Sequence, residues 1–121
     1  MKTGVILLSH GSRLPEAQKT LKELVEQVKA GGNFDLVTGA SLQFNRPDLQ
    51  TAVAQTVSAG MDRVIVAPLF LYMGMHMKKD IPEILDEERK KYPHVRFDMT
   101  GNIGADRKLA EILLERIGKV V

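Results

Sequence analysis

Gly4-Val5-Ile6-Leu7-Leu8-Ser9 runs straight into His10-Gly11-Ser12-Arg13. The first six residues are nearly all apolar and lack the alternation of a half-exposed strand, which marks a strand buried on both faces of a parallel sheet. The four that follow form a turn. Leu14, Ala17, Leu21, Leu24, Val25 and Val28 then recur at steps of three and four, one face of a helix, until Gly31-Gly32-Asn33 stops it.

The alternation of strand and helix continues along the chain. A weaker strand at about residues 35–42 ends in Gln43-Phe44-Asn45-Arg46. Pro47 suits the first turn of a second helix, which buries Leu49, Ala52, Val53 and Val57 and ends at Gly60. The third strand, residues 64–70, is the clearest. A loop over residues 71–79 then reaches Asp80 as an N-cap, with Pro82 just inside the helix and Ile81, Ile84 and Leu85 inward. Tyr92-Pro93 ends that helix. Residues 95–99 alternate as a short edge strand, and residues 105–119 close as a helix with Leu109, Ile112, Leu113, Arg116 and Ile117 on a mixed face.

Strands alternating with helices imply right-handed crossovers and a parallel sheet covered on both sides. The expectation is a single domain over residues 1–121: a flavodoxin-like three-layer α/β sandwich whose four strands lie in the order 2-1-3-4. That order puts a switch point between the first and third strands, and ligands bind beyond the carboxyl ends there.

Composition narrows the function classes. The 121 residues suit one domain. With no cysteine, a disulfide scaffold, a thiolate zinc site and a cysteine nucleophile are all excluded. Lys+Arg 17 against Asp+Glu 15 gives +2, and only two Tyr and four Phe are present, so neither bulk charge nor base stacking points to nucleic acid. No apolar run approaches membrane-spanning length, and Met1-Lys2-Thr3 leads directly into a strand, so no membrane partner and a cytoplasmic location are expected.

His10 ends the first strand and His76 follows the third. If those strands are neighbours, about 4.8 Å apart, two imidazoles can reach one ion at the switch point. A lone histidine would read as a packing residue; two that converge read as a site. His94, after Pro93 at an edge strand, reads as a surface residue. Two imidazoles without thiolate hold a divalent ion loosely, and Co²⁺, Ni²⁺ or Fe²⁺ suit such donors. Loose, open coordination fits an ion that is handed on.

Leu8-Ser9-His10-Gly11-Ser12-Arg13, the segment from Leu42 to Pro47, and Pro68-Leu69-Phe70-Leu71-Tyr72-Met73-Gly74-Met75-His76 with Asp80-Ile81-Pro82 carry a resemblance. Together they resemble the small single-domain class II chelatases, the CbiX-type sirohydrochlorin chelatases, over essentially the whole chain. The resemblance implies a lyase-class enzyme that inserts a divalent ion into sirohydrochlorin: cobalt first, with nickel or iron as alternatives. Cobalamin, siroheme and a nickel tetrapyrrole coenzyme are the pathways it implies. It further implies no organic cofactor, a homodimer, His10 as metal ligand and proton acceptor, and His76 as second ligand. Arg46 and the loop Leu71, Tyr72, Met73, Gly74 and Met75 would line the tetrapyrrole, with Ser12, Arg13 and Gln43 beside them. Several relatives carry glutamate where this chain has Gln43, and an amide cannot take a pyrrole proton.

Metallation replaces two pyrrole N–H protons by one divalent ion. Imidazole can bind metal or, with an ordinary pKa of about 6.5, take a proton, so the two roles compete at one nitrogen. Arg13, Arg46, Lys78 and Lys79 all fall in loops at the expected open end, where they suit carboxylates on the macrocycle rim. The spacing of Met73, Met75 and Met77 invites a thioether copper site, but an apolar wall against the ring plane is the preferred reading. Gly74 and Gly11 suit tight backbone beside a ligand, and Asp80 suits a cap that fixes the loop of His76.

Two rival readings remain. Ser9 or Ser12 beside His10 suggests a small hydrolase or phosphatase, although no G-x-S-x-G elbow surrounds either serine. A metal-carrier domain shares the two-histidine site and differs in ignoring sirohydrochlorin.

Overall fold

The computed structural model describes residues 1–121. Strands β1 (Thr3–Ser9), β2 (Leu36–Ser41), β3 (Arg63–Pro68) and β4 (Arg96–Met99) alternate with helices α1 (Pro15–Gly31), α2 (Leu49–Ser58), α3 (Met75–Lys91) and α4 (Arg107–Gly118). All strand pairs are parallel, in the order β2-β1-β3-β4, so the expected switch point between β1 and β3 exists. Leu8 is level with Ala40 of β2 and Pro68 of β3, which brings three strand ends to one crest.

The unbroken apolar run of β1 has a two-sided explanation. Ile6 and Leu8 join Val64, Val66 and Phe97 against Leu49, Ala52, Val53, Ile81 and Leu85 of α2 and α3. Val5 and Leu7, with Val37, face the other way and meet Leu21, Leu24, Val25 and Val28 of α1. Side chains alternate across a strand, so only a strand sandwiched between helix layers is apolar at every step. Each such side chain contributes about 1.5–3 kcal/mol on burial, which is why β1 forms the centre.

Two helix starts differ from the sequence expectation. Pro47 lies outside α2, joined to Arg46 by a cis peptide bond, and Asp48 is the cap, accepting from the Thr51 amide at 2.8 Å. Helix α3 begins at Met75, with Gly74 as N-cap, so Asp80 caps nothing and Pro82 sits inside the helix. A proline there costs a backbone hydrogen bond. Burial on the core of Ile81, one residue before it, and of Met77, one turn earlier, offsets that loss.

Helix α4 departs more widely. None of its residues is buried, and it packs on no strand or other helix. On the α1 side of the sheet, α1 packs on β1 and β2 and no helix lies over β3 or β4.

Candidate functional site

His10 follows the end of β1, and its exposed ring stacks on the buried ring of Phe70, with centroids 4.0 Å apart and planes inclined by 25°. The sheet register produces this contact. Leu69 donates its amide to Leu8 O at 2.8 Å, extending the β1–β3 pairing by one residue beyond the strand and bringing Phe70 alongside His10. One face of the imidazole therefore lies on hydrocarbon.

On the other flank, pairing with β2 also runs on past the strand. Leu42 and Gln43 donate their amides to Ser9 O and His10 O, at 3.0 and 3.2 Å. Gly11 turns away at φ 91°, and a Cβ there would stand 1.8 Å from Gln43 O. Both the left-handed φ and the close approach demand glycine. Gly74 has no such need: its φ is −69° and a Cβ would meet nothing, so its expected tight backbone is not found.

Asn45 ties the two crest loops together by accepting from the Ser12 amide at 2.8 Å. The Ser12 hydroxyl in turn accepts from the Leu14 amide, holding the turn that enters α1. Phe44, 56% exposed, adopts φ 68°, and the Arg13 guanidinium lies 4.7 Å over its ring. A left-handed phenylalanine costs roughly 1–3 kcal/mol, a strain that clusters at ligand sites. Phe44, Asn45 and Phe70 were not among the residues expected to form the site. The signal for Phe70 was present, since it ends the strongest strand; those for Phe44 and Asn45 arise only from loop geometry.

His76 occupies the first turn of α3, exposed, at the same end of the neighbouring strand unit. It is helical rather than in a loop, and this changes the methionines. Residues two apart diverge on a helix: Met77, with Met73, packs against the core, whereas Met75 is 91% exposed. The three do not form one thioether site. His94 is exposed just before β4, at the amino ends of the strands and away from the crest.

No protein group hydrogen-bonds either imidazole, so the ring nitrogens of His10 and His76 are free for ion or proton. No cluster of three or more His, Asp or Glu is present to hold a metal. Neither serine hydrogen-bonds His10: Ser9 Oγ shares a 2.9 Å hydrogen bond with Ser41 Oγ, and Ser12 Oγ accepts from the Leu14 amide.

Two clefts flank the crest. One of about 760 Å³ is lined by Gln43, Phe44, Asn45, Arg46 and Thr51 on the α2 side. A smaller one of about 170 Å³, lined by Ser9, His10, Ser12 and Ser41, opens on the α1 side. Arg13, Arg46 and Lys78 are exposed without a carboxylate partner within 4.0 Å, whereas Lys79 approaches Glu83 at 3.9 Å. Leu71 and Tyr72 are also exposed beside the crest. Asp48, at the edge of the larger cleft, titrates below the usual carboxylate range, chiefly because Thr51 hydrogen-bonds it, with Arg46 a smaller influence.

A doubly wound α/β domain with exposed imidazoles and cations at the carboxyl ends of its strands defines a class: a domain that holds a small ligand at its switch point. The chain belongs to the CbiX family, whose model matches residues 4–120. It is 36% identical to a sirohydrochlorin cobaltochelatase of Sulfurisphaera tokodaii, over 98% of this chain and 93% of that one. A second sirohydrochlorin cobaltochelatase, from Methanopyrus kandleri, is 32% identical over 93% of each chain. Among solved structures, the sirohydrochlorin chelatase SirB from Bacillus subtilis subspecies spizizenii, in complex with cobalt, superposes with a TM-score of 0.91 at 28% identity. The superposition covers 99% of this chain and 51% of SirB, so this chain spans about half of SirB's length.

Proposed function

We propose that residues 1–121 act as one chelatase domain that inserts a divalent ion, cobalt first and nickel or iron as alternatives, into sirohydrochlorin. The observation that carries this reading is His10: stacked on Phe70 at the switch point, with both ring nitrogens unclaimed by protein. The names of the relatives supply the substrate.

His10 and His76 hold the ion between them. Ligating histidines in permanent sites usually have their second nitrogen fixed by a partner. Neither does here, which favours an ion held loosely and released. As the ion passes into the macrocycle, two pyrrole protons leave. The His10 nitrogen that gave up the ion takes one, and water takes the other, since the Gln43 amide accepts none. The stacked phenyl ring of Phe70 fixes the imidazole plane, so no reorientation is needed at the moment of transfer. Arg13, Arg46 and Lys78 meet rim carboxylates through charge-assisted hydrogen bonds. Phe44, Leu71, Tyr72, Met73 and Met75 supply apolar surface for the ring, with Ser12 and Gln43 at its edge. The enzyme works in the cytoplasm without an organic cofactor, as a pair of identical chains.

The test is anaerobic insertion by purified protein with Co²⁺, Ni²⁺ and Fe²⁺, followed by the visible spectrum of the macrocycle. A metallated product, formed fastest with Co²⁺, is expected. Protein that binds Co²⁺ yet leaves the sirohydrochlorin spectrum untouched is a metal carrier, and the proposal is then wrong.

A further inference from the structure

His76 and Asp80 stand four residues apart in the sequence. In a loop that step would have no fixed geometry. Because α3 begins at Met75, the step is one helical turn, with Cβ atoms about 5–6 Å apart on one face. Side chains on a helix lean toward its amino end, so the Asp80 carboxylate leans over the turn that carries His76. Both residues are exposed.

Nothing else in the structure engages Asp80. It caps no helix and enters no ion pair or side-chain hydrogen bond. The positions three and four away from it are His76, Met77, Glu83 and Ile84, and only His76 among them carries a side-chain donor. Lys79, its neighbour in the chain, approaches Glu83 instead, at 3.9 Å. His10 has no counterpart to Asp80. The segments that meet around it, residues 9–13, 42–46 and 69–70, contain no Asp or Glu.

We infer that Asp80 is the positioning residue for His76. When His76 takes an ion through Nε2, its Nδ1–H donates to the Asp80 carboxylate, which fixes the ring and makes Nε2 a stronger donor. The proton stays on Nδ1, and the one bond formed to the ion comes from Nε2. His76 and Asp80 are not hydrogen-bonded in the structure, so the ion induces the pairing: drawing electrons through the ring makes Nδ1–H a better donor. The two imidazoles then differ in grip. His76 retains the ion, whereas His10, without a carboxylate, gives it up first to the macrocycle. This rests on the two-histidine reading above and deepens it.

The test uses metal alone, without macrocycle. Calorimetric titration with Co²⁺ reads affinity, and nitrogen magnetic resonance of isotopically labelled histidine with Zn²⁺ reads which ring nitrogen ligates. In the wild type, Zn²⁺ should sit on His76 Nε2 with the Nδ1–H resonance visible. Asp80→Ala should raise the Co²⁺ Kd about tenfold or more and broaden the Nδ1–H resonance by exchange with water. Asp80→Glu should recover most of the affinity. Glu83→Ala, which removes a neighbouring exposed carboxylate, should leave the Kd unchanged. Circular dichroism should not change in any of the three, since Asp80 and Glu83 are exposed. Zn²⁺ on His76 Nδ1, or equal losses in Asp80→Ala and Glu83→Ala, overturns the inference. Wild-type affinity in Asp80→Ala overturns it alone, whereas a wild type that binds neither ion overturns the two-histidine reading with it.

Discussion

The imidazole of His10 lies flat against the phenyl ring of Phe70, the two belonging to neighbouring strand ends of a parallel sheet. Phe70 is 2% exposed and roots the pair in the main core. The proposed metal ligand is thereby set on a buried ring. Phe70→Ala should cost about 3–5 kcal/mol by urea denaturation. Phe70→Leu keeps most of the apolar volume and should fold, yet weaken Co²⁺ binding in a calorimetric titration, because the flat support is gone.

Gly11→Ala tests the crest geometry. With φ 91° and a Cβ 1.8 Å from Gln43 O, alanine must push the β2–α2 loop away. The backbone strain alone is roughly 1–3 kcal/mol. A denaturation midpoint equal to that of the wild type would show that the two loops do not meet as described.

His10→Ala should abolish insertion with the far-ultraviolet circular dichroism unchanged, since the ring is exposed. His76→Ala should raise the Kd for Co²⁺ more than that for sirohydrochlorin. Equal losses for ion and macrocycle would contradict its role as a ligand.

Gln43→Glu places a carboxylate on the residue whose amide donates to the His10 carbonyl oxygen. A carboxylate accepts protons where an amide does not. Insertion at neutral pH should accelerate, and the ion that gains most identifies the metal preference set by this position.

Acid should unfold the protein partly through Asp98 and Asp48. The Arg63 guanidinium beside Asp98, with Arg96 adding to it, holds that carboxyl below its ordinary value, and Thr51 does the same for Asp48. A depressed folded-state pKa gives stability that is present above about 3.9 and lost as pH falls through the folded value. The stability difference between wild type and Asp98→Asn, measured by urea at pH 7 and again near pH 3, should shrink at the lower pH. Asp48 is exposed and Asp98 only half-buried, so the change is modest.

Local pattern was enough to read the order of strands and helices, the buried centre at Val5–Leu8 and the place of His10. Periodicity and turn residues report on neighbours within a few positions, and strand order follows from the handedness of crossovers. Where a remote contact competes with a local rule, the pattern misleads. The Asp80–Pro82 pair looks like a helix start, yet burial of Met77 and Ile81 carries α3 back to Met75 and sets His76 on a helix. The stacking of His10 on Phe70, the Asn45 bridge to Ser12 and the Arg13 guanidinium over Phe44 join segments some 30 to 60 residues apart. The exposure of α4 belongs to this second group too. Its apolar face is plain in the sequence, but only the folded chain shows that α4 packs on no strand or other helix. Close packing couples residues by space rather than by order along the chain, so such relationships exist only once the chain has folded.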